Sequence, residues 1–522
     1  MSNIIKENNK KSSLFLNHLS KVGGWTGVSR LFGLVRDIAT TSLLGASVAH
    51  DIYVVIFKIP NVFRNTFGEG ALNQAFIPIY SDFLKNGDEL KTREFLDSVA
   101  GFLITSLFFF TIFVLIFAPI FVFIFAPGFY FDPIKKEISV ELLRIMFPFL
   151  ALISLVAFAG GIQNSHGKFA IPAFMPVVFN ICLIIAALFI APYYGVPIYV
   201  LAWTVLLSGF LQLLMQYFPL LTIGRLPKPK INFSNKGLKN FFILLLPAFL
   251  AGGITQINLL IDTIFASLLD TGSPTWLYVS DRLIQFPMGI FAIALGVVLL
   301  PTLSGINADT EKEKFIEILR KGQRFVLFIG IPSMIGLFYC AEDLISTIFF
   351  RGEFKEIDVI QSSFSLMAFS FGLPFFMLMK VLTPAFFARK DTKTPMYIAL
   401  ISLILNAILN YILAFTFGLG HVGIALGSCM AAIVSVSILE FLLFKNGLLK
   451  VNNIINRFNF SILFSSIVLI LFLYNFTKLI DFLFLTELER IIYLFIEVIL
   501  AMIIYFVVAR LIFGKSLRRE FN

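Results

Sequence analysis

Runs of about 20 mostly apolar residues recur along the whole chain, separated by short polar links, and that is the length a helix needs to cross a bilayer. Counted by that rule there are about fourteen, at 22–46, 50–80, 96–126, 139–163, 172–192, 196–222, 240–268, 276–303, 324–340, 359–388, 395–417, 421–444, 458–478 and 488–513. In hydrocarbon every backbone N–H and C=O must be bonded within its own segment, so such runs fold as helices. Hydrophobic residues make up 58% of the 522 and charged residues 14%, with 64 phenylalanines, more apolar surface than a soluble domain can hide. The expected fold class is therefore an all-α polytopic membrane protein. No link is long enough to hold a soluble domain, so water-exposed catalytic machinery has no seat and no enzyme is expected. The longest link, 341–358, carries ISTIFF between charges and reads as a short surface or re-entrant helix.

Charge in the links sets orientation, because cytoplasmic loops collect Lys and Arg. The opening MSNIIKENNKKSS is polar and basic, expected as a tail and not as a cleaved leader. With Lys6, Lys10 and Lys11, and Lys21 further along, the tail matches the other basic links: Arg225, Lys228, Lys230, Lys236 and Lys239; Arg389, Lys390 and Lys393; Lys445, Lys450 and Arg457. The C-terminal tail adds Lys515, Arg518 and Arg519. The alternate links lack this excess: APYYGVP is uncharged, and 341–358 sets Glu342, Asp343, Glu353, Glu356 and Asp358 against Arg351 and Lys355. Both termini are expected in the cytoplasm. The net charge of +10 then reflects topology and attraction to anionic lipid, not nucleic acid.

The chain also repeats itself. ALNQAFIPIYS (71–81) and ALGVVLLPTLS (294–304) share Ala, Leu, Pro and Ser in register, and the same offset lays Pro172 on Pro395. VGGWT (22–26) and AGGIT (251–255) echo each other at a similar offset. Two six-helix lobes of one orientation follow, 1–225 and 235–447, around a central cavity, with two additional helices in 456–513. Two lobes about a midplane cavity is an alternating-access design.

Within that plan the buried charges become informative. At 1.5 Å per residue from Lys21, Arg30 lies about 14 Å deep, near the bilayer centre. Arg30 and Asp37 share a helical face, with Arg36 turned away from it. In the second run Asp51, Lys58 and Glu69 form a stripe flanked by Asn61 and Arg64, and the eighth run adds Asp281 and Arg282. Such residues face a cavity or a partner, because isolation in lipid costs several kcal/mol. Structural pairing, Arg30 with Asp37 and Lys58 with Asp51, is one reading. A site for an anion is the other, since the planar guanidinium fork suits diphosphate oxygens and cannot discard its charge.

Smaller features carry weaker signals. Asp262, Asn406 and Asn410 are polar groups in apolar runs. Either they bond helix to helix, or they offer hard oxygens to a coupling cation. No cofactor is expected, and transport would draw on sodium, protons or the membrane potential. Cys182, Cys340 and Cys429 sit in apolar runs without CxxC spacing, as packed small hydrophobes. His18, His50, His166 and His421 fall at loop or helix ends. GEG at 68–70 lacks the flanks of a phosphate loop and reads as a helix break. Trp25, Trp203 and Trp276 read as interfacial anchors.

Three strings carry a family resemblance: SRLFGLVRDIATTSLLGASVAHDIYVVIFKIPNVFRNTFGEGALNQAFIPIYS, SDRLIQFPMGIFAIALGVVLLPTLS and KVLTPAFFARKDTKTP. They resemble the MurJ/MviN lipid II flippases, within the wider multidrug and polysaccharide flippase superfamily, over nearly the whole chain. The resemblance implies movement of undecaprenyl-diphosphate-linked disaccharide-pentapeptide from the cytoplasmic to the outer leaflet of a bacterial inner membrane, in peptidoglycan synthesis. It implies a cationic cavity in which Arg30, Arg36, Arg64 and Arg282 engage the substrate, supported by Ser29, Asp51, Glu69 and Asp281. It also implies a groove for the polyprenyl tail on the last two helices. Lipid II and membrane lipids are the expected partners, with cell-wall synthesis proteins beside them, and the protein is expected as a monomer. Rival readings are a flippase for another polyprenyl-diphosphate glycan, a multidrug exporter, which would carry cavity carboxylates without an arginine excess, and a membrane enzyme that processes lipid II.

Overall fold

Helix formation follows the apolar runs closely. The computed structural model describes residues 24–65, 72–232, 235–306, 310–449 and 457–514, and among these no strand occurs. Ten described helical spans are long and apolar enough to cross a membrane, eleven if the pair Glu356–Ser370 and Leu373–Ala388, bent by 42°, counts as one. The remaining expected crossings fall on stretches that carry charge or include undescribed residues. Helix α1 (24–44) holds Arg30, Arg36 and Asp37, and the 50–80 run is interrupted by the undescribed 66–71.

The described residues divide into two compact units. The first runs to Leu44 and resumes from Val48 to Leu260; the second holds Gly45–Ser47 and everything from Ile261. The first unit contains α1, α2 (Val48–Phe63), α3 (Leu72–Asn86), α4 (Glu89–Ile116), α5 (Ala118–Phe125), α6 (Pro127–Tyr130), α7 (Pro133–Met146), α8 (Phe149–Ser165), α9 (Ala170–Ile185) and α10 (Pro197–Ile223). Polar residues at the helix starts satisfy backbone donors that the helix cannot. Asp88 accepts from the Lys91 amide at 3.1 Å, and Asp132 from the amides of Ile134 and Lys135, with Pro133 at the first helical position. Gly224 ends α10 at φ 70°, a left-handed turn that a side chain would strain.

An aromatic stack forms the core of this unit. Phe76 lies 5.1 Å from Tyr80, 5.9 Å from Phe95 and 4.9 Å from Phe158, all fully or nearly buried. Small residues let the helices approach: a Cβ at Gly209 of α10 would stand 2.9 Å from Phe149 and 3.0 Å from Leu152 of α8. The basic link after α10 is tied down, the Lys228 amide donating to Asp97 Oδ1 at 2.7 Å and the Lys230 amide to the Asp97 carbonyl at 3.0 Å.

Helix α11 (Lys236–Ser267) runs into the second unit, which continues with α12 (Ser273–Pro287), a π-helical turn at Met288–Ala292 and α13 (Ile293–Ser304). Then come α14 (Lys312–Tyr339), α15 (Ala341–Phe349), α16 (Glu356–Ser370), α17 (Leu373–Ala388), α18 (Lys393–Asn410), α19 (Gly420–Lys445), α20 (Arg457–Leu479) and α21 (Glu487–Phe513). The expected short helix in the 341–358 link is α15, and it is no loose surface element: Ala341, Ile345 and Phe349 are fully buried. The last two helices belong to this unit's core, where Phe328, Phe458, Leu473 and Tyr505 pack together and the Tyr505 hydroxyl donates to the Phe328 carbonyl at 3.0 Å. All three cysteines are free. Trp276 is tied into the unit by its own contacts: its indole N–H donates to Asp358 at 3.1 Å and its ring meets His421 edge-on at 4.9 Å.

Candidate substrate-binding residues

In the first unit the charged face of α1 is organised by α9. Arg36 sends Nε at 2.9 Å and Nη2 at 2.6 Å to the Asp37 carboxylate, and Nη1 to Asn180 Oδ1 at 3.1 Å. The amide of Asn180 donates in turn to the Ser29 carbonyl at 3.1 Å, about two turns back along α1. A single side chain on α9 therefore holds both the guanidinium and the helix that carries it. The Phe179 ring lies 5.7 Å from the Arg36 guanidinium and continues into a stack with Phe57 and Tyr53 of α2. Asp37 is 2% exposed and Arg36 12%, so this pair is strongly desolvated and its direct bonds matter more than those of a surface pair.

The partner of Asp37 is thus Arg36, although helical spacing put Arg30 on its face. Neighbouring residues on a helix do not normally meet, but the arginine is long enough to fold back on the next carboxylate. Arg30 itself is exposed, with no hydrogen bond or ion pair to any described residue. On α2, Asp51 is buried while Lys58, Asn61 and Arg64 are half-buried. Arg64 donates to Asn65 at 3.3 Å, and Asn65 to Gln256 of α11 at 3.4 Å. Glu69 lies outside the described residues.

In the second unit Arg282 donates to the Tyr278 hydroxyl at 2.9 Å and rests 4.8 Å from that ring, one helical turn below it. Asp281 accepts from Gln285 on the same helix. A second polar cluster joins α11, α18 and α19. Asp262 accepts from Asn410 at 2.7 Å and from Ser428 at 2.9 Å, while Asn406 donates to Ser428 at 2.9 Å. Asn410 Oδ1 is buried without a hydrogen-bond donor among the described residues. Gly427 is needed beside it, since any Cβ there would collide with that oxygen. Carboxylate, amide and hydroxyl oxygens, one of them without a donor among the described residues, are thus gathered between α11, α18 and α19.

Sequence reading missed Asn180, Gln256, Tyr278 and Ser428. For Asn180 the signal was present: a lone amide in AIPAFMPVVFNICLII is as anomalous as Asn406 and Asn410 in their run. Tyr278 stands four residues before Arg282, the spacing at which helix side chains meet.

A family model described as lipid II flippase MurJ matches residues 40–504. The probable lipid II flippase MurJ of Vibrio cholerae is 38% identical over 425 residues, covering 80% of this chain and 81% of the relative. The lipid II flippase MurJ of Burkholderia cenocepacia is 33% identical over 434 residues, covering 82% and 84%. Among solved structures, a lipid II flippase MurJ in an inward closed conformation is similar with a TM-score of 0.79 and 26% identity, over 95% of this chain and 99% of that one. An inward-facing multidrug resistance MATE family transporter of the MOP superfamily has a TM-score of 0.66 at 13% identity, over 80% and 94%, a likeness of fold alone.

Proposed function

The chain belongs to the lipid II flippase MurJ family, and from that premise we propose that it carries lipid II from the cytoplasmic to the outer leaflet of a bacterial inner membrane. The observation that supports this most directly is Arg36, a permanent cation in an apolar helix, aimed by Asp37 and Asn180. Arg30, Arg36, Arg64 and Arg282 are the proposed diphosphate ligands. A guanidinium offers two parallel N–H donors that match phosphate oxygens, and a diphosphate compensates several cations at once. Ser29, Asp37, Asp51, Lys58, Asn61, Glu69 and Asp281 are the proposed supporting groups, which position the cations or hold them when no substrate is bound.

Transport then proceeds by alternating access. The head group is captured from the cytoplasmic side while the polyprenyl tail stays in lipid along α20 and α21. The lobes, 1–225 and 235–447, rock, and the head is released on the far side when the arginine geometry loosens. No bond is made or broken, so the protein acts as a carrier and not as an enzyme. The basic links support a cytoplasmic position for both termini, and the proposed working form is a monomer among membrane lipids, adjoining cell-wall synthesis proteins. Coupling to a cation through Asp262, Asn406 and Asn410 would supply direction, because a cation that binds one state better than the other shifts the population toward it.

Complementation after depletion of a native lipid II flippase tests this reading, with outer-leaflet accessibility of the precursor as the readout. Arg30→Ala, Arg36→Ala, Arg64→Ala and Arg282→Ala should each abolish rescue while the protein still inserts. Full rescue by all four would refute the cavity assignment.

A further inference from the structure

Away from the arginines, the second unit holds a pair of buried acids that transport as described above does not use. Asp343 lies in the first turn of α15 and is 6% exposed; Glu497 is fully buried, ten residues into α21. That places Glu497 about 15 Å along its helix, well below the turn that joins α20 to α21. Helix α15 is tucked in far enough for the two side chains to come within hydrogen-bonding reach of each other. Cys340, just before α15, donates its thiol to Glu497 Oε1 at 3.2 Å. Asp343 Oδ2 and Glu497 Oε2 are both buried, and neither has a donor among the described residues.

The surrounding charges do not neutralise this pair. Arg490 of α21 is spent on backbone carbonyls, donating to Ser346 at 3.0 Å, Phe350 at 3.4 Å and Leu485 at 3.2 Å. Arg351 donates to the Thr347 carbonyl at 2.9 Å, and Lys478 of α20 to the Tyr474 hydroxyl at 2.5 Å. The other ionisable groups nearby, Glu342 in α15, Glu356 in α16, Asp481 after α20 and Glu487 in α21, are acids. Two ionised carboxylates in contact, out of water and without a cation, repel strongly, and a proton between them turns the repulsion into a hydrogen bond. A cavity of about 430 Å³ reaches Asp343, lined also by Tyr339, Glu342, Thr477, Lys478 and Asp481, so the pair meets solvent through Asp343.

We propose that Asp343 and Glu497 form a proton-binding site, which shares one proton at neutral pH and exchanges it with the solvent through that cavity. The bound proton bridges Asp343 Oδ2 and Glu497 Oε2, and its release leaves two anions in contact across the seam between α15 and α21. Burial, with the charges of Glu497 and Glu342 behind it, pushes the Asp343 carboxyl up to about 9. The native state therefore keeps a proton that the unfolded chain gives up near the ordinary value of 3.8, and this contribution to stability declines as pH rises from there towards 9.

Infrared spectroscopy of the full-length protein in lipid nanodiscs reads this directly, through the carbonyl stretch of a protonated carboxylic acid. The wild type should show such a band at neutral pH and lose it as pH rises through about 9. Asp343→Asn and Glu497→Gln, each close in shape to the acid it replaces, should each shift the frequency and the titration of that band, because the acid that remains is still buried but no longer faces a second carboxylate. Each variant is read on its own, so one that inserts is enough. Should neither insert, the exchange Asp343→Glu with Glu497→Asp keeps both carboxyls and must keep the band. The proposal is overturned if the wild type has no band that titrates above neutrality, if a variant keeps the band with its frequency and titration unchanged, or if the exchange variant lacks it. It is equally overturned if sodium or potassium displaces the band at constant pH, which would make the pair a metal-cation site.

Discussion

Arg36 illustrates how much of a residue's role lies in what holds it. Its guanidinium is divided between a carboxylate on its own helix and an amide on α9, which leaves its direction set before any ligand arrives. Asn180→Ala should therefore lower lipid II flipping by about tenfold, worth about 1.4 kcal/mol, without removing any charge. The outer-leaflet accessibility assay on inserted protein checks this, and unchanged flipping would mean that Asn180 only packs. Arg36→Lys should recover part of the activity lost in Arg36→Ala, since an ammonium keeps the charge but lacks the fork. The arginines were legible in the sequence because charge in an apolar run is conspicuous. Their pairing was not, because the choice between Arg30 and Arg36 for Asp37 depends on where α9 places Asn180.

At the scale of elements, helix contacts without water rest on close packing. Gly209 gives α10 its approach to α8, and Gly209→Leu would drive a side chain into Phe149 and Leu152. Overpacking of this kind costs about 1–3 kcal/mol, so the variant should melt lower in detergent while α1 and its arginines are untouched. A second contact lies at the end of α8. His166 bonds the Tyr80 hydroxyl of α3 at 3.0 Å, close to Arg225, which pairs with Glu89. Burial, then the charges of Arg225 and Lys168, lower the His166 pKa below its ordinary 6.5. The native state thus resists a proton that the unfolded chain accepts. The contribution of this contact is present above about 6.5 and is lost as pH falls through the lowered value. Melting temperature should fall less on acidification in His166→Gln than in the wild type, and equal pH profiles would exclude His166 as the cause. Helix positions were legible in the sequence, since the expected 196–222 and 488–513 spans correspond to Pro197–Ile223 and Glu487–Phe513. The burial of α15 was not, because ISTIFF is apolar enough for either a surface or an interior.

For the whole molecule, the question is what gives transport a direction. If the Asp262 cluster binds the coupling cation, Asp262→Asn should leave the protein inserted but flatten the dependence of flipping on sodium. Flipping assayed against an imposed sodium gradient reads this, and an unchanged response would move coupling elsewhere. The membrane class and the order of the apolar runs were determined by the sequence by itself. So were the basic links and the helices that carry arginine. These follow from local quantities: the transfer of about 20 side chains into hydrocarbon, and the need of each backbone segment to bond within itself. Only the tertiary structure decided which polar groups meet: Arg36 with Asn180, Asp262 with Asn410 and Ser428, Asp343 with Glu497. Those partners are far apart in the chain, and a hydrogen bond depends on angstrom-scale packing that no window of sequence contains.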